Sequence, residues 1–147
     1  MALNLQGAKG VATPHLSEDR PADGVPIESA RVSIYRSCIM TLLYDRTDRP
    51  DLQLEVNELS SFLSAPTEHD WRALIRLGRY LITYPERGIV MYGPVHSEAG
   101  VIRLVGRSDT DWAQDKVTRK SRTCLHVLAD GCMLSSVVRR QSFIAMS

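Results

Sequence analysis

No run of apolar residues in the 147-residue chain approaches membrane-spanning length, and no apolar signal core follows Met1. A soluble, intracellular protein without a membrane partner is therefore expected, cytoplasmic or nuclear. An excess of one charge is missing too: the formal net charge is +1. The whole chain thus carries no electrostatic signature of nucleic-acid binding, and any basic patch must be local. Cysteine is scarce, at Cys38, Cys124 and Cys132. None forms a CxxC pair and none has a histidine at zinc-ligand spacing. The set reads as reduced thiols. Cys124 and Cys132 are spaced to face each other across a hairpin, but small buried residues are the preferred reading. His69, His96 and His126 have no evident partners and read as surface or internally satisfied residues.

What is present is ordinary globular composition, with 44% hydrophobic and 24% charged residues. Residues 1–27 hold Gly7, Gly10, Pro14, Pro21, Gly24 and Pro26 with little apolar periodicity, so a flexible linker is expected there. From Glu28 the pattern becomes helical. Val32, Tyr35, Ile39, Leu42 and Leu43 share one face, and Arg49-Pro50 is expected to end that helix. Leu52, Val56, Leu59 and Leu63 mark a second helix. A third begins at Pro66-Thr67, where Thr67 can cap and Asp70 completes a variant capping box. It carries Ala73, Leu74, Leu77, Leu81 and Tyr84 on one side and Arg72, Arg76 and Arg79 near the other, and Pro85 stops it. Beyond it the period shortens. Gly88–Gly93 and Val101–Gly106 read as strands. Thr123–Ala129 and Met133–Val138 read as a hairpin around Asp130-Gly131. The fold class expected is mixed α/β (α+β): three helices over 28–87, then an antiparallel β-meander over 88–147.

Two blocks carry a family resemblance. Arg49-Pro50-Asp51, Pro66-Thr67, Trp71 and the run from Arg76 to Leu81 resemble the segment that follows the polymerase core in copia-type (Ty1/copia) LTR retrotransposon Pol polyproteins. Tyr35-Arg36-Ser37 and Leu42-Leu43-Tyr44 fit the same pattern. Downstream, Ser108 to Ser121 resembles the opening of the copia-type ribonuclease H domain, with Gln141 and Ala145-Met146-Ser147 similar to its later Gln and Ala-Leu-Ser. Gly7 to Pro14 resembles a linker found before these blocks. Any one tripeptide is weak; two blocks in order and at the right separation are strong. The sequence departs from the pattern at Cys124, where a Gly is usual, at Val137-Val138, near a usual Trp-Ser, and at Asp45-Arg46. The resemblance implies a helical reverse transcriptase connection region over 28–87 and a truncated ribonuclease H-like domain over 88–147.

Ribonuclease H chemistry uses carboxylates to hold two divalent ions that activate water and stabilise the leaving oxygen. Read from the residues alone, an Asp after a strand is more often a turn residue. The resemblance places Asp109 at the family's first carboxylate, a remnant of the catalytic metal site, with Asp111 either beside it or in the turn. Asp115 reads as a loop residue and Trp112 as packing. The family's other carboxylates lie beyond the Ala-Leu-Ser region. A polymerase Asp-Asp motif is missing; the tandem Glu18-Asp19 sits in the linker. Mg2+ is thus implied for the intact parent and not for this chain, which is expected to be an inactive fragment of the polyprotein. In the parent the partner would be an RNA–DNA hybrid or DNA. Arg72, Arg76 and Arg79, with Arg119 and Lys120 beside Arg122 and a further pair at Arg139-Arg140, are the nucleic-acid candidates, since arginine neutralises phosphate. A solvated helix face explains them equally well. The alternative function is a non-catalytic module that binds nucleic acid or a protein partner.

Overall fold

The computed structural model describes residues 3–91, 101–112 and 118–144. They fall into two compact units, Met1–Arg87 and Gly88–Ser147. The architecture is mixed α/β: three helices, then a three-stranded antiparallel sheet.

In the first unit α1 spans Ser29–Asp45, α2 Gln53–Ser60 and α3 Glu68–Thr83. Their expected apolar faces form the core: Tyr35, Ile39 and Leu42 from α1, Val56 and Leu59 from α2, and Ala73, Leu74, Leu77 and Tyr80 from α3. Burying each large apolar side chain stabilises the unit by roughly 1.5–3 kcal/mol. The Tyr35 hydroxyl is satisfied inside by donating to the Leu59 carbonyl at 2.8 Å. Burial pushes its pKa well up.

Helix α1 ends at Asp45, earlier than the proline suggested. The reason lies in side chains from α2. Gln53 Nε2 donates to the Arg46 carbonyl at 3.2 Å, and Arg46 Nη1 donates to Asn57 Oδ1 at 2.7 Å. A carbonyl satisfied by a side chain needs no further helical amide. Pro50 instead opens a 3-10 turn over Pro50–Leu52. At α3 the capping box forms as expected: Asp70 Oδ2 accepts from the Thr67 amide at 2.7 Å and from its hydroxyl at 2.8 Å.

The stretch expected as a linker belongs to the first unit. Residues 3–27 contain no helix, and their one β-bridge joins Pro26 to Thr67. Leu3, Val11 and Leu16 pack against the core, and Ile27 is part of it. The approach to α3 is close. A Cβ added at Gly10 would collide with the Thr83 hydroxyl, and one added at Gly78 would meet Leu5. Glycine inside a helix costs roughly 1 kcal/mol against alanine; at Gly78 it makes room for the irregular segment.

In the second unit β1 spans Leu104–Thr110, β2 Arg122–Ala129 and β3 Cys132–Arg140, in the order β1-β2-β3. The Asp130-Gly131 turn has φ of 48° and 85°, the doubly positive geometry that suits a tight hairpin. Asp130 also locks β1, its carboxylate accepting from the Arg103 amide at 3.0 Å. Register then runs from Leu104↔Ala129 to Thr110↔Thr123. That moves β1 downstream of the expected Val101–Gly106, because residues 101–103 lie past the end of β2. The strand expected at Gly88–Gly93 is not formed over 88–91, and Gly93 lies outside the described residues, as do His96, Asp115 and Ala145 to Ser147. Cys124 pairs with Val138 and Cys132 with Ala129, so the two cysteines do not face each other. All three cysteines are half-buried and none is in a disulfide among the described residues. Among the described residues of this unit only Ser121 is buried.

Candidate functional site

Three of the residues singled out by motif, Arg49, Asp51 and Tyr80, meet in the first unit. Arg49 donates to both oxygens of Asp51, at 3.0 and 2.9 Å. Tyr80 donates its hydroxyl to Asp51 Oδ2 at 2.8 Å, and Arg87 Nη1 donates to the Tyr80 oxygen at 2.7 Å. The Arg49-Pro50-Asp51 block and the Arg-Tyr-Leu end of α3 are thus two sides of one charge-assisted network. Burial alone raises the Asp51 pKa, but the bonds from Arg49 and Tyr80 outweigh it and leave the carboxyl below its usual range. Burial, then the bond to Asp51, raises Tyr80. These side chains hold α3 to the turn.

The three arginines of α3 do not form an open basic stripe. Arg79 Nε donates to the Lys9 carbonyl at 2.6 Å, and Arg76 Nη2 to Thr13 Oγ1 at 2.8 Å. Arg72 lies 3.1 Å from Glu18, with both side chains more than half exposed. Residues 3–27 therefore use the basic side of α3 as their docking rail. Sequence reasoning missed this because the segment has no periodicity of its own. It also missed Arg20, whose guanidinium meets Asp70. His69 Nε2 lies 3.0 Å from the Glu18 carbonyl, while its buried Nδ1 makes no hydrogen bond among the described residues and faces Asp70 Oδ1 at 3.8 Å.

In the second unit Asp109 sits one residue before the end of β1 and is exposed. Its Oδ1 accepts from the Thr110 amide at 2.9 Å. Asp111 follows the strand, and its carboxylate accepts from the Arg122 amide while its own amide donates to the Arg122 carbonyl. It closes the β1–β2 ladder. The two carboxylates therefore serve local backbone geometry. Among the described residues they belong to no three-ligand grouping, and they do not fit a pair of magnesium ions, which need convergent oxygens. The grouping that does exist is His15, Glu55 and Glu58, in the first unit. His126 Nε2 lies 3.3 Å from Cys124 Sγ, a contact the spacing left unread. Burial, with Asp109 nearby, pushes the Cys124 thiol up. Arg119 takes a positive φ of 57° and places its guanidinium 5.4 Å from the Trp112 ring centre, a cation–π contact on an exposed tryptophan. Trp112 is thus a surface residue, not packing. Lys120 is half-buried beside it.

A helical unit tied together by partly buried ion pairs is followed by an antiparallel meander with no three-ligand carboxylate grouping among the described residues, in a mixed α/β chain. Comparison with known proteins gives its kinship. No family model and no solved structure matches it. It is 34% identical over 112 residues to the retrovirus-related Pol polyprotein from transposon RE2 of Arabidopsis thaliana, and 34% over 113 to that from transposon RE1. Those matches cover 76% and 77% of this chain and 7% of each polyprotein. It is also 35% identical over 114 residues to the secreted RxLR effector protein 161 of Plasmopara viticola, covering 77% of both chains. The chain belongs to one family with effector protein 161, and it is similar to a short stretch of the retrotransposon Pol polyproteins, of which it spans only a small part. Among the described residues no helix is long and apolar enough to cross a membrane.

Proposed function

We propose that the chain is the copia-type Pol segment that runs from the end of the reverse transcriptase region into the opening of a ribonuclease H-like region, and that it has no catalysis of its own. The observation that carries this is the Asp51–Tyr80 bond. It joins Arg49-Pro50-Asp51 to the Arg-Tyr-Leu end of α3, two parts of the upstream block of the resemblance, in one partly buried network. The position of Asp109 near the end of the first strand of a meander supports the ribonuclease H-like assignment. The engagement of Asp109 by the Thr110 amide and of Asp111 by the Arg122 amide supports the absence of catalysis. In the parent polyprotein the partner is an RNA–DNA hybrid or DNA, the metal is Mg2+, and the setting is cytoplasmic or nuclear. The test is cleavage of an RNA–DNA hybrid by the full chain in Mg2+. No cleavage is expected; cleavage that vanishes in Asp109→Asn would overturn the reading.

The Arg119–Trp112 contact favours a second reading, a module that binds nucleic acid without catalysis. A cation stacked on an exposed ring offers both a phosphate contact and a stacking platform. Register sets Arg122 opposite Arg140 on the neighbouring strands, which concentrates positive charge near the same end of the sheet. Binding should then be salt-dependent and reside in the second unit.

A further inference from the structure

We propose that His15, Glu55 and Glu58 form a structural site for a divalent transition ion of the zinc class. Glu55 and Glu58 are three apart on α2, so their side chains leave the helix on one face. His15 comes from the irregular segment. Its Nδ1 lies 2.9 Å from Glu55 Oε2, and one ligand atom from each residue lies within 4.8 Å of the others. A tetrahedral zinc with bonds of about 2.0–2.2 Å sets its ligand atoms roughly 3.4 Å apart. The His15–Glu55 separation of 2.9 Å and the 4.8 Å limit on the whole set lie to either side of that value.

The donors select the ion. Magnesium and calcium prefer oxygen throughout. One imidazole nitrogen with two carboxylates suits zinc, cobalt or manganese. The surroundings fit a bound cation. Glu55 is 4% exposed and Glu58 half-buried, so the two carboxylate donors sit in a partly dry place. His15 is exposed, which leaves the fourth position to water.

His15 is placed by its neighbours. Thr13 accepts from Arg76 and Leu16 packs against the core, so the imidazole is held between two anchors. A bound ion would clamp the irregular segment to a helix 40 residues away in sequence. The site's role is thus to fix residues 3–27, and it does not depend on the reading as a Pol segment.

The test uses the full chain stripped with a chelator. Zn2+ is titrated calorimetrically, and Co2+ by its visible absorption. Saturable binding at a single site is expected, with tetrahedral Co2+ bands, no thiolate charge-transfer band, and a rise in melting temperature that chelator reverses. Glu58→Gln and His15→Asn are each expected to weaken binding by roughly tenfold or more, since losing a direct ligand costs no less than losing its support. Glu58 is half-buried, so Glu58→Gln should keep the fold even if His15→Asn does not. Absence of saturable binding, undiminished affinity in Glu58→Gln, or a thiolate band showing cysteine ligands would each overturn the proposal.

Discussion

Arg20 donates from Nε and Nη2 to the two carboxylate oxygens of Asp70, at 2.8 and 3.0 Å, fifty residues apart in sequence. Asp70 is 1% exposed and at the same time caps α3 through Thr67. The start of a helix and the anchoring of an irregular segment therefore share one carboxylate. Removing it discards a cap worth about 1 kcal/mol and a charge-assisted pair worth about 2. Asp70→Ala should thus lower the unfolding free energy by about 3 kcal/mol. Arg20→Ala leaves a buried carboxylate that keeps its Thr67 bonds, so about 2 kcal/mol is expected. The exposed Glu18–Arg72 pair is the internal control, and Glu18→Ala should cost less than about 1 kcal/mol. Urea unfolding followed by Trp71 fluorescence measures all three. Equal losses for Arg20→Ala and Glu18→Ala would refute the distinction.

The same pair gives stability a pH dependence of definite sign. Burial pushes Asp70 up, but Arg20 and the Thr67 amide and hydroxyl pull it further down, so its folded pKa is depressed. Asp51 is depressed by Arg49 and Tyr80 against the same burial cost. The unfolded carboxyls titrate near about 4. Above that value both states are ionised and the contribution is complete. As pH falls below it the unfolded chain binds protons first, and stability drains away until the folded groups protonate too. The first unit should therefore lose stability steeply on the acid side. Asp70→Asn and Asp51→Asn should each be less stable at neutral pH and show a shallower acid limb. Acid limbs as steep as the parent's in both variants would exclude these carboxyls as the source.

The helices were legible because their apolar residues recur every three or four positions and one face of each is buried. Thr67 and Asp70 could be read as a start signal for the same reason: a capping box is local. What holds residues 3–27 was not legible. Arg20 finds Asp70, His15 finds Glu55, and Gly10 meets Thr83 across large sequence separations, and nothing periodic announces such contacts. The hairpin turn was readable from Asp130-Gly131, whereas the bounds of β1 were not, because strand register is set by its partner. Asp109 was expected after a strand ending at Gly106 and instead lies inside β1, one residue from its end; that its oxygen would turn to Thr110 was beyond reach of the pattern.

The arginines divide into two kinds that a binding experiment can separate. Arg76 and Arg79 are committed to Thr13 and to the Lys9 carbonyl. Their loss should cost up to about 1 kcal/mol each in stability and change nucleic-acid affinity little. Arg119 is exposed on Trp112. Arg119→Ala should weaken binding to a labelled hybrid and flatten its salt dependence while the stability of the first unit stays the same. Binding lost in Arg76→Ala and Arg79→Ala but intact in Arg119→Ala would place the contact on α3 instead.

The two units should differ in local stability by a wide margin. Among its described residues the first unit has eleven buried apolar residues in one cluster. In the second, β1 is exposed along its whole length, and Leu104, Leu125 and Leu134 are all open to solvent. A sheet needs an apolar face packed against something to stand alone, and exposed apolar strands invite edge pairing. Amides of β1 to β3 should therefore exchange hydrogen orders of magnitude faster than those of α1 and α3, because they open without unfolding a core. A hydrophobic dye should bind the native chain, and Leu104→Lys or Leu134→Lys should reduce dye binding and aggregation with no loss of helix stability. Slow exchange across β2, matching that of α3, would mean that this sheet is packed against a surface in solution, and the dye should then not bind.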